Sequence, residues 1–386
     1  HTEPPPVTRR ERFGVIAFGM MWLLIMSAFT LLQFGRFRLY YVDNAYNWVE
    51  LRANLPAHYE GWARLHSNWD SGFFTAIALY GYEGTTVAFY PGYPLAVRAA
   101  GALIQPLTPG MDELARVEWA AVGVSAVCSV LAAWGMYEWV VAMGVKRDAG
   151  RAAFYLMIFP TAMFLPQIYT ESLFLAAALW ALALGARGKW GWAGLLAMLA
   201  ALTRTTGVLL ILPLAEIAWK RRQRDGAIWG IIVACAMTVV GFLGWMIWLD
   251  AHGLSAMEAQ KQFGRFLFNP NWFDWMRGQV EYMGLTSKAA VQIGLDFALT
   301  GFALALSFWA LRRWPGLGLF GLASMFIPLT TATMVSQNRY ALTVLPIYLV
   351  LARWGRRAWF DRLWAFGSVL LFALYLILFT QGYWAG

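Results

Sequence analysis

The chain has 386 residues, 60% of them hydrophobic and only 13% charged, and its mean hydropathy is +0.53. Soluble globular chains carry about 25% charged residues, so the composition excludes a soluble domain. The net charge of +9 does not signal a nucleic-acid partner, because the basic residues gather in short loops between apolar runs.

Apolar runs near 20 residues recur along the whole length, each able to cross a ~30 Å hydrocarbon core as a helix. A spanning backbone must satisfy its own hydrogen bonds, so strands are not expected. The predicted class is an all-α polytopic membrane protein, one integral domain over residues 1–386 surrounded by membrane lipids. Residues 1–12 read as a short basic tail, and Arg9, Arg10 and Arg12 place it in the cytoplasm ahead of a first span near residues 13–35. A long loop follows at 36–85, assigned to the outer face and predicted to hold interfacial helices; its HSNWDSGFFTAIALYGY stretch carries one acid among aromatics. The interval 86–145 holds apolar runs at 86–104 and 114–145, the second readable as one long helix or two short ones. Residues 190–219 read as two short helices meeting at Thr203-Arg204-Thr205-Thr206-Gly207, a break tolerated at membrane depth where it lines a cavity. With basic clusters around Lys146, Arg187, Lys220, Arg312 and Arg353 all on one side, the count comes to about 11–13 transmembrane helices, with a second outer loop at 250–290.

Ionisable groups at membrane depth are costly and are functional candidates by default. Asp70 is the first, and an N-cap on the helix that follows would also explain it. Glu171 opens the helix ESLFLAAALWALAL, where an acid also suits the helix dipole. Arg339 stands at the end of a span, where snorkelling would suffice. Arg204 and Arg98 lie within apolar stretches and require an anion, either a phosphate or a carboxylate such as Asp296; His66 is a further neighbour to consider. Cys128 and Cys235 lie in apolar segments and suggest neither a disulfide nor a metal site, and no nucleotide-binding or zinc motif is present. Acids and arginines at a membrane-embedded site suit a lipid-phosphate substrate, with the acid moving a proton and the arginines meeting the phosphate.

The blocks WDSGFFTAIALYGY, AFYPGYPLAVR, FPTAMFLPQIYTESLFLAAALWALAL, GLLAMLAALTRTTGVLL and QNRYALTVLPIYLVLA occur in this order between residues 60 and 355, and together they resemble the PIG-V-like membrane mannosyltransferases of the GT-C class. Bacterial members often have an Arg before the WD pair, where this chain has Asn68. The resemblance implies a GT-C-type helical bundle in a prokaryotic plasma membrane. It also implies an inverting transfer of a sugar, most simply mannose, from a polyprenyl-phosphate-linked donor to a glycolipid, glycan or protein acceptor on the extracytoplasmic face. No cofactor and no metal enters that scheme. By position, Asp70 matches the family's essential first-loop acid and Glu171 is a second catalytic candidate. Arg339, Arg204 and Arg98 become the candidate donor-phosphate ligands, and His66, Trp69, Tyr90, Tyr169 and Gln337 the substrate-binding ones. The rival reading is a transporter or flippase of lipid-linked sugars, which would use the same charges but is not supported by any internal repeat.

Overall fold

The structure, a computed structural model, describes residues 8–36, 65–222, 227–265, 268–284, 287–331, 336–383 and 385. Most of the expected loop at 36–85, namely residues 37–64, and the tail before Thr8 lie outside the described residues. The described residues form helices and no strand. In chain order these are α1 (Arg9–Arg36), α2 (Ser71–Tyr80), α3 (Gly92–Ile104), α4 (Glu113–Ala142) and α5 (Lys146–Met157), then α6 (Glu171–Ala186), α7 (Trp190–Ala201), α8 (Ile211–Lys220) and α9 (Ala227–Ala251). The remainder are α10 (Ala256–Gln262), α11 (Trp272–Met283), α12 (Ser287–Leu311), α13 (Pro315–Leu329), α14 (Gln337–Leu342), α15 (Pro346–Trp354) and α16 (Ala358–Thr380).

Among the described residues five helices are long and apolar enough to cross a membrane, α1, α4, α9, α12 and α16, and α2, α6, α7 and α13 are apolar but shorter. The expectation of 11–13 counted each apolar run as a crossing of its own. Here several runs are broken into short helices that cover one another inside the bundle. The run at 114–145 is one helix, α4, and the run at 190–219 breaks between α7 and a 3-10 turn at Thr205–Leu210.

α6 is apolar on every side and almost wholly buried, as such a helix must be when it stands at the centre of a bundle. α7 approaches α9 through Gly194, where an added Cβ would come within 2.9 Å of the Ala234 backbone. Small residues at such crossings let two backbones meet closely without a hydrophobic drive from lipid. At one end of the bundle the basic clusters find acids. Arg356 grips Asp148 with two bonds of 2.8 and 2.7 Å, Glu138 takes Arg12 at 2.7 Å together with Arg187, and Lys146 meets Glu11 at 2.9 Å. Clusters assigned to a single face from sequence therefore meet one another. α2 buries Phe73, Phe74 and Ile77 in protein and exposes Tyr80. Phe73 stacks on Phe89 at 4.6 Å and meets Phe263, from the end of α10, edge-on at 5.7 Å.

Candidate functional site

Residues 66–70 are fastened one by one to different parts of the molecule. His66 Nδ1 is 2.8 Å from Gln167 Oε1, and its carbonyl accepts from the Ile168 N–H at 3.1 Å. Ser67 Oγ donates to Glu118 of α4 at 3.1 Å. Asn68 Nδ2 donates to the Phe379 carbonyl in α16 at 2.9 Å, while the Asn68 carbonyl accepts from the Tyr169 hydroxyl at 3.1 Å. Trp69 holds φ +58°, a left-handed conformation that costs a bulky residue energy, and its indole N–H donates to the Tyr383 carbonyl at 3.1 Å. The turn and these anchors aim Asp70 inward, where Oδ2 accepts from Arg339 Nη1 at 2.8 Å.

Asp70 directly precedes α2, but its side chain makes no capping bond. The carboxylate is spent on Arg339 instead, and Oδ1 accepts from no described residue in a side chain that is 8% exposed with its residue. Glu171 opens α6 and is 0% exposed. Its Oε1 accepts from Arg204 Nη1 and lies 3.2 Å from Arg339 Nε, while Oε2 is buried without a hydrogen-bond partner among the described residues. Arg204 projects from the break after α7, in extended backbone, and its Nη1 also donates to Thr170 Oγ1 at 3.0 Å. The charges therefore alternate along one line, Asp70, Arg339, Glu171, Arg204, and sum to zero.

Aromatic rings enclose that line. The Arg339 guanidinium lies 5.0 Å from the Tyr169 ring centroid, 5.6 Å from Tyr340 and 5.7 Å from Phe164, and Arg204 lies 5.2 Å from Tyr340. Burial works against the Arg339 charge, but Asp70 and Glu171 outweigh it and hold the guanidinium well above the ordinary arginine range. Burial pushes the His66 imidazole down to about 4, with Gln167 partly opposing.

Four of the residues singled out from sequence, Asp70, Glu171, Arg339 and Arg204, thus converge, Tyr169, Trp69 and His66 line or brace the same place, and Gln337 is buried at the start of α14, two residues before Arg339. Tyr90 stacks on Phe242 at 6.3 Å and reaches Thr205, the neighbour of Arg204. Arg98 does not join them. It is exposed and donates to the Ala78 and Leu79 carbonyls at 2.9 and 3.2 Å, because the last turn of α2 leaves carbonyls that need donors. Neither Asp296 nor His66 is the partner of a buried arginine: Asp296 makes no ion pair among the described residues, and His66 binds Gln167. Sequence reasoning missed Thr170, Glu118 and the anchoring part of Asn68, since none of these pairings is local in the chain. Among the described residues no three His, Cys, Asp or Glu side chains group as metal ligands.

The chain resembles several known proteins. It is 33% identical to rat GPI alpha-1,6-mannosyltransferase 2 over 148 residues, which is 38% of this chain and 30% of the relative. It is 34% identical to the mouse protein of the same name over 146 residues, 37% of this chain and 29% of the relative. The matched stretch thus spans less than a third of those relatives. Among solved structures, a crystal structure of the Archaeoglobus fulgidus oligosaccharyltransferase overlays with a TM-score of 0.44 at 14% identity, covering 95% of this chain and 53% of that one. A solved structure of the Archaeoglobus fulgidus oligosaccharyltransferase AglB in complex with an inhibitory peptide and a dolichol-phosphate overlays with a TM-score of 0.43 at 14% identity, covering 96% of this chain and 56% of that one. The family model for Mannosyltransferase (PIG-V) matches residues 20–217, just over half of the chain and a span that contains Asp70, Glu171 and Arg204. The chain belongs to the PIG-V mannosyltransferase family.

Proposed function

We propose that the protein is an inverting GT-C mannosyltransferase that moves mannose from a polyprenyl-phosphate carrier to an acceptor hydroxyl on the extracytoplasmic side of a prokaryotic plasma membrane, with its N-terminal segment in the cytoplasm. The observation that carries the reading is the unequal use of the two acids. Asp70 has one oxygen held by Arg339 and the other unengaged in a slightly exposed side chain, whereas Glu171 is wholly buried, with Oε1 between two arginines and Oε2 closed off from solvent. A general base must meet the proton it removes, so Asp70 is the base and Glu171 the residue that positions both guanidinium groups.

In the transfer, the acceptor oxygen forms a bond to C1 of mannose on the face opposite the phosphate, through an oxocarbenium-like transition state. The C1–O bond to phosphate breaks, its electron pair stays on the lipid phosphate, and the acceptor proton moves to Asp70 Oδ1. As Asp70 takes the proton its own charge is lost, so the neutral quartet gains a net positive charge at Arg339, already fixed by Glu171 and the rings, while negative charge grows on the phosphate. The acceptor class stays open to a glycolipid, a glycan or a protein.

The test is transfer of labelled mannose from polyprenyl-phosphate-mannose by the purified protein in native lipids, comparing wild type, Asp70→Asn and Glu171→Gln. Asp70→Asn is expected to lose about 10²–10⁴-fold in rate, the usual contribution of a general base. Glu171→Gln is expected to keep measurable transfer. A folded Asp70→Asn variant at wild-type rate removes Asp70 as the base, and a folded wild type inactive with this donor removes the donor assignment.

A further inference from the structure

The two arginines of the site are fully spoken for by its two carboxylates, so the quartet offers no net positive charge to a donor that carries a phosphate. A third guanidinium stands beside it. Arg265 follows α10 and is partly buried, and its backbone N–H donates to the Gln260 carbonyl at 3.0 Å. Two contacts hold that segment over the site. Gln260 Nε2 donates to the Ala88 carbonyl at 3.0 Å, and Phe263 packs edge-on against Phe73, three residues after Asp70, at 5.7 Å and against Phe89 at 6.0 Å. The chain then reaches Asn269, whose N–H donates to the Thr330 carbonyl at the end of α13 at 2.9 Å. Arg265 therefore lies on a path between the start of α2 and the end of α13, and its guanidinium rests 5.8 Å from the Phe263 ring.

Its surroundings agree. Burial pushes the Tyr340 hydroxyl up, but Arg265, Arg339 and Arg204, in that order of effect, pull it below its ordinary value. Tyr340 thus feels three guanidinium charges, and two of those groups, Arg204 and Arg339, lie against its ring. Arg265 differs from the other two in forming no ion pair among the described residues, whereas the nearby Lys261 is matched by Glu258 at 2.6 Å.

We propose that Arg265 is the donor-phosphate ligand: a partly buried, carboxylate-free guanidinium beside Tyr340 that binds the phosphate of a polyprenyl-linked sugar and makes the site complementary to its single negative charge. This rests on the lipid-phosphate donor of the preceding reading. The planar guanidinium suits a phosphate through two parallel N–H bonds, which an ammonium cannot reproduce.

The experiment measures binding of polyprenyl monophosphate to the purified full chain in detergent, and separately the donor KM and kcat of transfer. Arg265→Gln is expected to weaken lipid-phosphate binding and raise the donor KM by about tenfold or more, as loss of one charge-assisted bond does. Arg265→Lys should recover part of the affinity, and the acceptor KM should stay unchanged. Lys261→Gln, which removes an exposed and already paired charge from the same segment, should stay within about twofold of wild type. Wild type that binds the lipid, with Arg265→Gln within twofold of it and at an unchanged melting temperature, overturns the assignment of Arg265 alone. An equal loss in Lys261→Gln overturns it too, by showing general attraction rather than a ligand. Inorganic phosphate that competes as well as the lipid, or a wild type that binds no lipid phosphate, overturns the donor reading together with it.

Discussion

Replacing Arg339 by Met keeps most of the side-chain stem and removes the charge on which both acids lean. Arg339 is 7% exposed, and its loss leaves Asp70 with no cation among the described residues while Glu171 keeps Arg204. Two unit charges about 4 Å apart at an effective dielectric near 20 attract by about 4 kcal/mol. Removing one partner of a buried pair costs about 3–5 kcal/mol, because the survivor is stranded away from water. Arg339→Met is therefore expected to lose about 3–5 kcal/mol. Asp70→Asn alone leaves Arg339 facing Glu171 and gives up one charge-assisted hydrogen bond, about 1.5–3 kcal/mol. Combining the two changes leaves no stranded anion at position 70, so the double variant should be more stable than Arg339→Met by about 2 kcal/mol, a rescue rather than a sum. The measurement is unfolding of the purified protein by SDS in mixed micelles, followed through the fluorescence of its 22 tryptophans. A double variant no more stable than Arg339→Met would refute the reasoning, since it would mean that Asp70 is not stabilised through Arg339.

His66 should make the protein acid-sensitive. Its folded value of about 4 lies below the unfolded 6.5, so its contribution is fully present above pH 6.5 and is lost as pH falls toward 4. The loss amounts to about 3 kcal/mol, and melting temperatures from pH 7 to 4 should fall more steeply for wild type than for His66→Gln; parallel curves would contradict this. Gly207→Ala should destabilise the protein by about 1–3 kcal/mol and slow transfer, because the new Cβ would strike the Ala200 and Ala201 backbone and shift the break that carries Arg204. Gly123→Ala, with open space around the new methyl, serves as its control in the same melting and transfer assays, and equal losses in both would dismiss the argument.

Much of the site was legible from residue chemistry alone. Asp70 and Glu171 drew notice as acids at the starts of apolar helices, and Arg204 as a charge inside a run broken by TRTTG. Their arrangement was not legible, because Asp70 and Arg339 are 269 residues apart and no local pattern reports which acid meets which arginine. The capping explanation for Asp70 was sound helix chemistry that tertiary pairing overrode. Arg98 misled for a related reason: an arginine in an apolar run draws suspicion, but the carbonyls at the end of α2, 19 and 20 residues earlier, satisfy it. Helix number was the least readable quantity, since hydropathy reports apolar length and not whether a short helix is covered by its neighbours.

The anchoring of residues 68 and 69 to the Phe379 and Tyr383 carbonyls has a consequence for biosynthesis. Trp69 and Tyr383 are 314 positions apart, and a ribosome adding about 5–20 residues per second needs about 15–60 s to go from one to the other. Throughout that interval the turn bearing Asp70 lacks two of its fastenings. The geometry that sets Asp70 against Arg339 is thus completed only after α16 and the residues just beyond it have been made, so the order of synthesis decides when that pairing can form.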